Sequence, residues 1–163
     1  MRHKINEKLT EIWDYPKIGL INKHGDHYYF PYNSGLSNQN IIYKIKEKDS
    51  YKLNQADILS GTEVFLDPNK LSEDGTAALG QKIWSPNGRY LAYQVMRAGS
   101  DWATIYIRDA ETGQDLAEEL HWIKFSRIAW THDNLGFFYN KFDPPASISG
   151  EERQGTETEK VKN

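Results

Sequence analysis

The 163-residue chain contains no cysteine. That single absence removes disulfide scaffolds, thiolate zinc sites and cysteine nucleophiles together, and it permits a reducing compartment. No apolar stretch approaches the roughly 20 residues that span a bilayer. The opening residues, Met-Arg-His-Lys-Ile-Asn-Glu-Lys, are charged and lack the apolar centre of a secretory signal. There is no Asn-x-Ser/Thr sequon, no Gly-x-Gly-x-x-Gly and no phosphate-cradling Gly-x-x-x-x-Gly-Lys-Ser/Thr. The Gly-x-Ser-x-Gly elbow of a hydrolase serine is also missing. Charge of one sign is lacking too: 20 basic against 23 acidic side chains leave a net charge of -3. A surface built to neutralise phosphates would be basic, so nucleic acid is not an expected partner. A soluble, cytoplasmic protein without membrane association is the expectation.

What the chain does have is aromatics, 13% of residues, with ten tyrosines and five tryptophans. Among many Gly, Asn and Asp residues, that composition favours strands and turns. One helix is expected first. Ile5, Leu9, Ile12 and Trp13 fall on one helical face, and Pro16 stops the helix by disfavouring helical geometry at Tyr15. The stripe needs a partner surface that the segment does not supply. Strand periodicity then takes over at His27–Tyr32, Asn40–Ile45 and Glu63–Leu66. The first two make a hairpin, residues 46–60 form a polar insertion, and Asp67-Pro-Asn closes the third strand. Leu71-Ser-Glu-Asp-Gly75 is a further turn.

The most informative feature is an internal echo. Trp84-Ser-Pro-Asn-Gly-Arg-Tyr-Leu-Ala-Tyr93 is repeated 46 residues later as Trp130-Thr-His-Asp-Asn-Leu-Gly-Phe-Phe-Tyr139. A weaker copy, Asn22-Lys-His-Gly-Asp-His-Tyr-Tyr-Phe30, precedes both at a longer interval, the excess being roughly the polar insertion. Between the two good copies lie Ala103–Arg108, an Asp109-Ala-Glu-Thr-Gly113 turn and Asp115–Leu120, so each period carries about four strands. Periods of 40–50 residues with several strands each mark propeller blades. The competing source of such hairpins is a β-sandwich. The expected fold is therefore all-β: a partial β-propeller of two to three four-stranded antiparallel blades, preceded by a short helix. Closed propellers need at least four blades, so a fragment is expected.

Chemistry-bearing constellations are scarce. His24 and His27 form a lone His-x-x-His without a third ligand, so no metal or cofactor is expected. His121 and His132 flank strands, and Glu118-Glu119 reads as a solvated strand edge. No nucleophile is paired with a base.

Beyond the residues themselves, a set of motifs resembles the prolyl oligopeptidase family in that family's order. They are Thr10-Glu-Ile-Trp-Asp-Tyr-Pro-Lys17, Phe65-Leu-Asp-Pro-Asn69, Leu71-Ser-Glu-Asp-Gly-Thr76, Gly99-Ser-Asp-Trp102, Ile123-Lys-Phe-Ser126, Ala129-Trp-Thr-His-Asp133 and Gly155-Thr-Glu-Thr158. The resemblance implies a cytosolic serine endopeptidase cutting short peptides after proline. Its triad resides in an α/β-hydrolase domain that this chain does not contain, so no catalytic residue is expected here. The chain would supply the non-catalytic propeller, which narrows access and completes the substrate pocket. It implies three segments: 1–16 from the part before the propeller, 17–146 as first blades, and 147–163 as a polar loop. By motif, Phe125 matches a pocket-lining phenylalanine, and Asp101 matches an acid at the domain interface. Read without the resemblance, Phe125 is equally a core residue of an inner strand and Asp101 a turn-former. Residues 123–130 are expected as one strand, with Phe125 and Arg127 on one face. The alternative function is an unrelated propeller scaffold that binds a partner through its aromatics.

Overall fold

A computed structural model describes residues 1–54 and 57–144. It divides into two compact units, Met1–Leu71 and Ser72 onward.

In the first unit, α1 spans Arg2–Trp13 and buries no residue. Ile5, Leu9, Ile12 and Trp13 are each more than half exposed, so among the described residues nothing covers the apolar stripe. The helix stops at Asp14, whose N–H bonds to the Thr10 carbonyl. Lys17 then donates its ammonium to the carbonyls of Trp13 and Gly35, each at 2.8 Å, which anchors the helix end to the turn after the third strand. A cation beside free C-terminal carbonyls is favourable electrostatically.

The sheet of this unit comprises β1 (Lys17–Ile18), β2 (Asn22–His24), β3 (His27–Asn33), β4 (Ile41–Lys46) and β5 (Glu63–Leu66). β3, β4 and β5 pair antiparallel in succession, while β1 and β2 both lie along β3 as one interrupted edge strand. The interruption falls opposite Pro31, which has no N–H to give to that edge. Gly19 approaches there instead, donating to the Pro31 carbonyl at 2.9 Å. A Cβ on Gly19 would sit 2.4 Å from Pro31 Cγ. The polar stretch after β4 opens as a 3-10 helix over Glu47–Asn54. After β5, Asp67 accepts the Asn69 N–H at 3.1 Å, and Asn69 exchanges two hydrogen bonds with the Gln39 backbone. The Asp-Pro-Asn turn thus also ties down the β3–β4 loop.

The second unit holds one complete four-stranded meander: β6 (Ala78–Trp84), β7 (Tyr90–Met96), β8 (Trp102–Asp109) and β9 (Asp115–Lys124). A further hairpin follows, β10 (Ala129–Trp130) with β11 (Phe137–Phe138). The 46-residue echo is reproduced in the register itself. Trp84 pairs with Leu91 and Ile83 with Ala92; Trp130 pairs with Phe137 and Ala129 with Phe138. The two copies also touch. Trp130 Nε1 donates to the Ile83 carbonyl at 2.9 Å, and the Asn87 N–H donates to Asn134 Oδ1 at 2.8 Å. Ala92, Ala103, Ile105, Ile123 and Ile128 form the core between them, with Ile83, Trp130 and Phe137 packed against it. Leu91 to Val95 of β7 are buried without alternation, the pattern of a strand covered on both faces.

At the far end of the sheet, Asp109 organises the turn expected from Asp-Ala-Glu-Thr-Gly. It accepts the N–H groups of Glu111 and Thr112 at 2.8 and 3.1 Å and pairs with Arg89 at 2.7 Å. Burial alone would push this carboxyl up, but the two N–H donors and the guanidinium outweigh it and hold it below its usual range. Nearby, Arg108 binds Asp115 through two 2.8 Å bonds, and the buried Tyr93 hydroxyl donates to the same carboxylate. Residues 118 and 119 lie exposed on the outer strand.

Candidate functional site

The two residues singled out by motif come together at one end of the second sheet. Trp102 and Lys124 are directly paired across β8 and β9, so Asp101 and Phe125, one step beyond each, flank the same position. Lys124 joins them: its ammonium is 3.9 Å from Asp101 Oδ2 and lies 5.2 and 5.4 Å from the Trp102 and Phe125 ring centroids. Trp122 and Phe142 meet Trp102 edge-on at 5.6 and 5.8 Å. Two buried indoles with the exposed Phe142 beside them therefore carry a rim made of one exposed carboxylate, one half-buried ammonium and one exposed phenyl ring.

Phe125 departs from the strand expected over 123–130. β9 ends at Lys124, and Phe125 turns the chain with φ 51°. This left-handed geometry is uncommon for a bulky residue. The ring is 82% exposed, against 0% for Ile123, so within this chain it is not a core residue of an inner strand. Exposure alternates only from the bend onward, Phe125 and Arg127 facing out while Ser126 and Ile128 are buried; Lys124, expected opposite Phe125, instead shares its rim. Asp101 sits in the turn before β8, where Ala98 and Gly99 also have positive φ. The turn-forming and interface readings of Asp101 are compatible with that position.

Sequence reasoning missed the polar groups beneath the bend. Gln94 on β7 donates through Nε2 to the Ser126 carbonyl at 2.9 Å. Its Oε1 accepts the Gln81 N–H at 3.2 Å, and Gln81 Oε1 accepts the Ile128 N–H at 3.0 Å. Ser126 Oγ accepts the Asn140 N–H at 2.7 Å. A glutamine inside the apolar run Leu-Ala-Tyr-Gln-Val was the available signal.

Elsewhere, Thr104, His121 and Glu119 align by residue type. The contacts are 3.4 and 3.5 Å and Thr104 is buried, a geometry too long and too closed for nucleophilic activation. His24 and His27 face each other across the β2–β3 turn beside Tyr29. Among the described residues no three His, Asp or Glu side chains converge as a metal site. No described helix is long and apolar enough to cross a membrane.

One complete antiparallel four-stranded meander, followed 46 residues on by a hairpin that repeats its opening register, fits part of a β-propeller. The family follows from sequence comparison. Residues 1–162 match the family model described as prolyl oligopeptidase, N-terminal beta-propeller domain, and the chain belongs to that family. It is 41% identical over 144 residues to a prolyl endopeptidase of Elizabethkingia meningoseptica, covering 88% of this chain and 19% of that protein. It is likewise 41% identical over 150 residues to prolyl oligopeptidase A of Galerina marginata, covering 85% and 20%. The fold resembles a structure of prolyl oligopeptidase B from Galerina marginata bound to a 25mer macrocyclization substrate, with a TM-score of 0.81 at 32% identity, covering 91% of this chain and 22% of that one. The chain thus spans about a fifth of the length of these relatives.

Proposed function

We propose that this chain is the opening part of the propeller of a serine endopeptidase that cleaves short peptides after proline. Residues 1–16 belong to the segment ahead of the propeller, 17–146 are its first blades and 147–163, which lie outside the described residues, a polar loop. The observation that carries this reading is the family match along nearly the whole chain. The propeller limits access to a catalytic α/β-hydrolase domain, its partner, and contributes to the substrate pocket. In that setting Phe125 offers an apolar ring to the peptide, and Asp101 lies at the domain interface. The Phe125 role is supported by an exposed ring on a buttressed bend, since pockets use rigid apolar surfaces with few polar groups. The Asp101 role is supported by an exposed carboxylate whose ion pair among the described residues is a long one, 3.9 Å to Lys124, which an arginine could replace bidentately. The protein works in the cytoplasm in this reading, and it uses neither metal nor cofactor.

The test is the reading frame beyond codon 163. A downstream Gly-x-Ser-x-Gly followed by Asp and His supports the peptidase. Further repeats of 40–50 residues ending in a stop, with no such elbow, reject it in favour of a scaffold.

A further inference from the structure

We infer that Gln94 is a positioning residue for Phe125, an inference that rests on the pocket role proposed for that ring. Beyond the Lys124 ammonium 5.4 Å from its centroid, the Phe125 ring has little to fix its bend: it is 82% exposed and the backbone is left-handed at φ 51°. Such a conformation persists only where the surroundings over-determine it. The surroundings converge on Gln94, itself 8% exposed on the central strand β7.

One end of the Gln94 amide holds the bend directly, through Nε2 and the Ser126 carbonyl at 2.9 Å. The other end accepts the Gln81 N–H at 3.2 Å, where β6 bulges between Leu79 and Lys82. Gln81 passes the connection back, accepting the Ile128 N–H at 3.0 Å. Both sides of the residue pair after Phe125 are thereby referred to one buried amide. Gly80 is part of the device, because a Cβ there would lie 2.8 Å from Gln94 Oε1. The bulge and the missing side chain make room for a polar group on a buried strand, and both ends of its amide are hydrogen-bonded there, as a buried polar group requires. Hydrogen bonding in such a buried circuit fixes a loop more rigidly than packing alone.

The experiment has two arms. In the 163-residue chain, Gln94→Met removes both hydrogen bonds at nearly constant volume, and Gln81→Ala, at a partly exposed position, breaks the Ile128 anchor should the first variant fold poorly. Amide exchange at Ile128 is expected to accelerate at least ~10-fold in either variant, and the Phe125 amide–Hα coupling constant to shift away from its left-handed value. An unchanged bend in both overturns the inference. In the enzyme carrying this segment, Gln94→Met is expected to raise KM by ~3-fold or more for peptides long enough to reach Phe125, leaving kcat and shorter peptides unaffected. A fall in kcat for all peptides alike overturns it, because that is the mark of general damage. If Phe125→Ala leaves KM unchanged while the Gln94 variant still releases the bend, the pocket reading fails and the positioning of Phe125 by Gln94 stands.

Discussion

A phenylalanine at φ 51° gives up roughly 1–2 kcal/mol of backbone energy that a right-handed or extended residue keeps. Its ring recovers little of this within the chain, being 82% exposed. Truncation should therefore leave stability nearly unchanged, within about 0.5 kcal/mol. Under a bound peptide the same ring would be buried, and Phe125→Ala should weaken binding by roughly 1–3 kcal/mol, seen as a raised KM at constant kcat. Measuring KM and the unfolding midpoint on one variant separates the roles, and a large loss of stability with unchanged KM would reject the pocket. Asp109 has the opposite character, buried and structural. Its folded pKa is depressed relative to the unfolded chain, so the ionised carboxylate contributes stability that is fully present above about pH 4 and is lost as pH falls through the folded value. Asp109→Asn should cost about 1–3 kcal/mol at neutral pH and flatten the acid limb of a stability–pH profile. An acid limb identical to that of the parent would dismiss Asp109 as its source.

The elements differ in how openly their sequences declare them. β5 appears over the same residues, Glu63–Leu66, that its apolar run and the Asp-Pro stop imply. The hairpins after Trp84 and Trp130 keep one register because the same turn residues recur at the same spacing. β1 was not legible: a two-residue edge piece has no periodicity, and its pairing is decided by Pro31 on another strand. The bend at Phe125 was not legible either, since no glycine or asparagine advertises its left-handed turn. What sets it is Gln94, more than 30 residues away. Gly19 gives a prediction at this scale. Alanine there would place a methyl 2.4 Å from Pro31 Cγ, forcing the edge strand off β3 at a cost of roughly 1–3 kcal/mol. Faster exchange of the Gly19 and Asn22–His24 amides would register it, whereas an unaltered edge would show that the strand yields freely.

For the molecule as a whole, the chemistry follows from what 163 residues contain. No serine elbow and no paired nucleophile occur in them, so the purified chain should not cleave proline-containing peptides. Turnover that persists through repurification and yields to a serine-directed inhibitor would contradict this. Stability follows from what the described residues leave uncovered. Blades derive their stability from neighbours as well as from themselves. Here Leu135 and Phe138, on the β10–β11 hairpin, are 88% and 73% exposed, and no further described strand pairs with β11. The α1 stripe adds four more exposed apolar side chains. An open strand edge beside apolar surface is a template for association with another chain. The isolated chain should accordingly melt broadly at low temperature and self-associate as concentration rises. Calorimetry combined with sedimentation velocity over a hundredfold dilution checks both. A sharp, reversible transition of a strict monomer above about 50 °C, within the ordinary mesophilic range, would show that the two units are self-sufficient and that their exposed faces cost little.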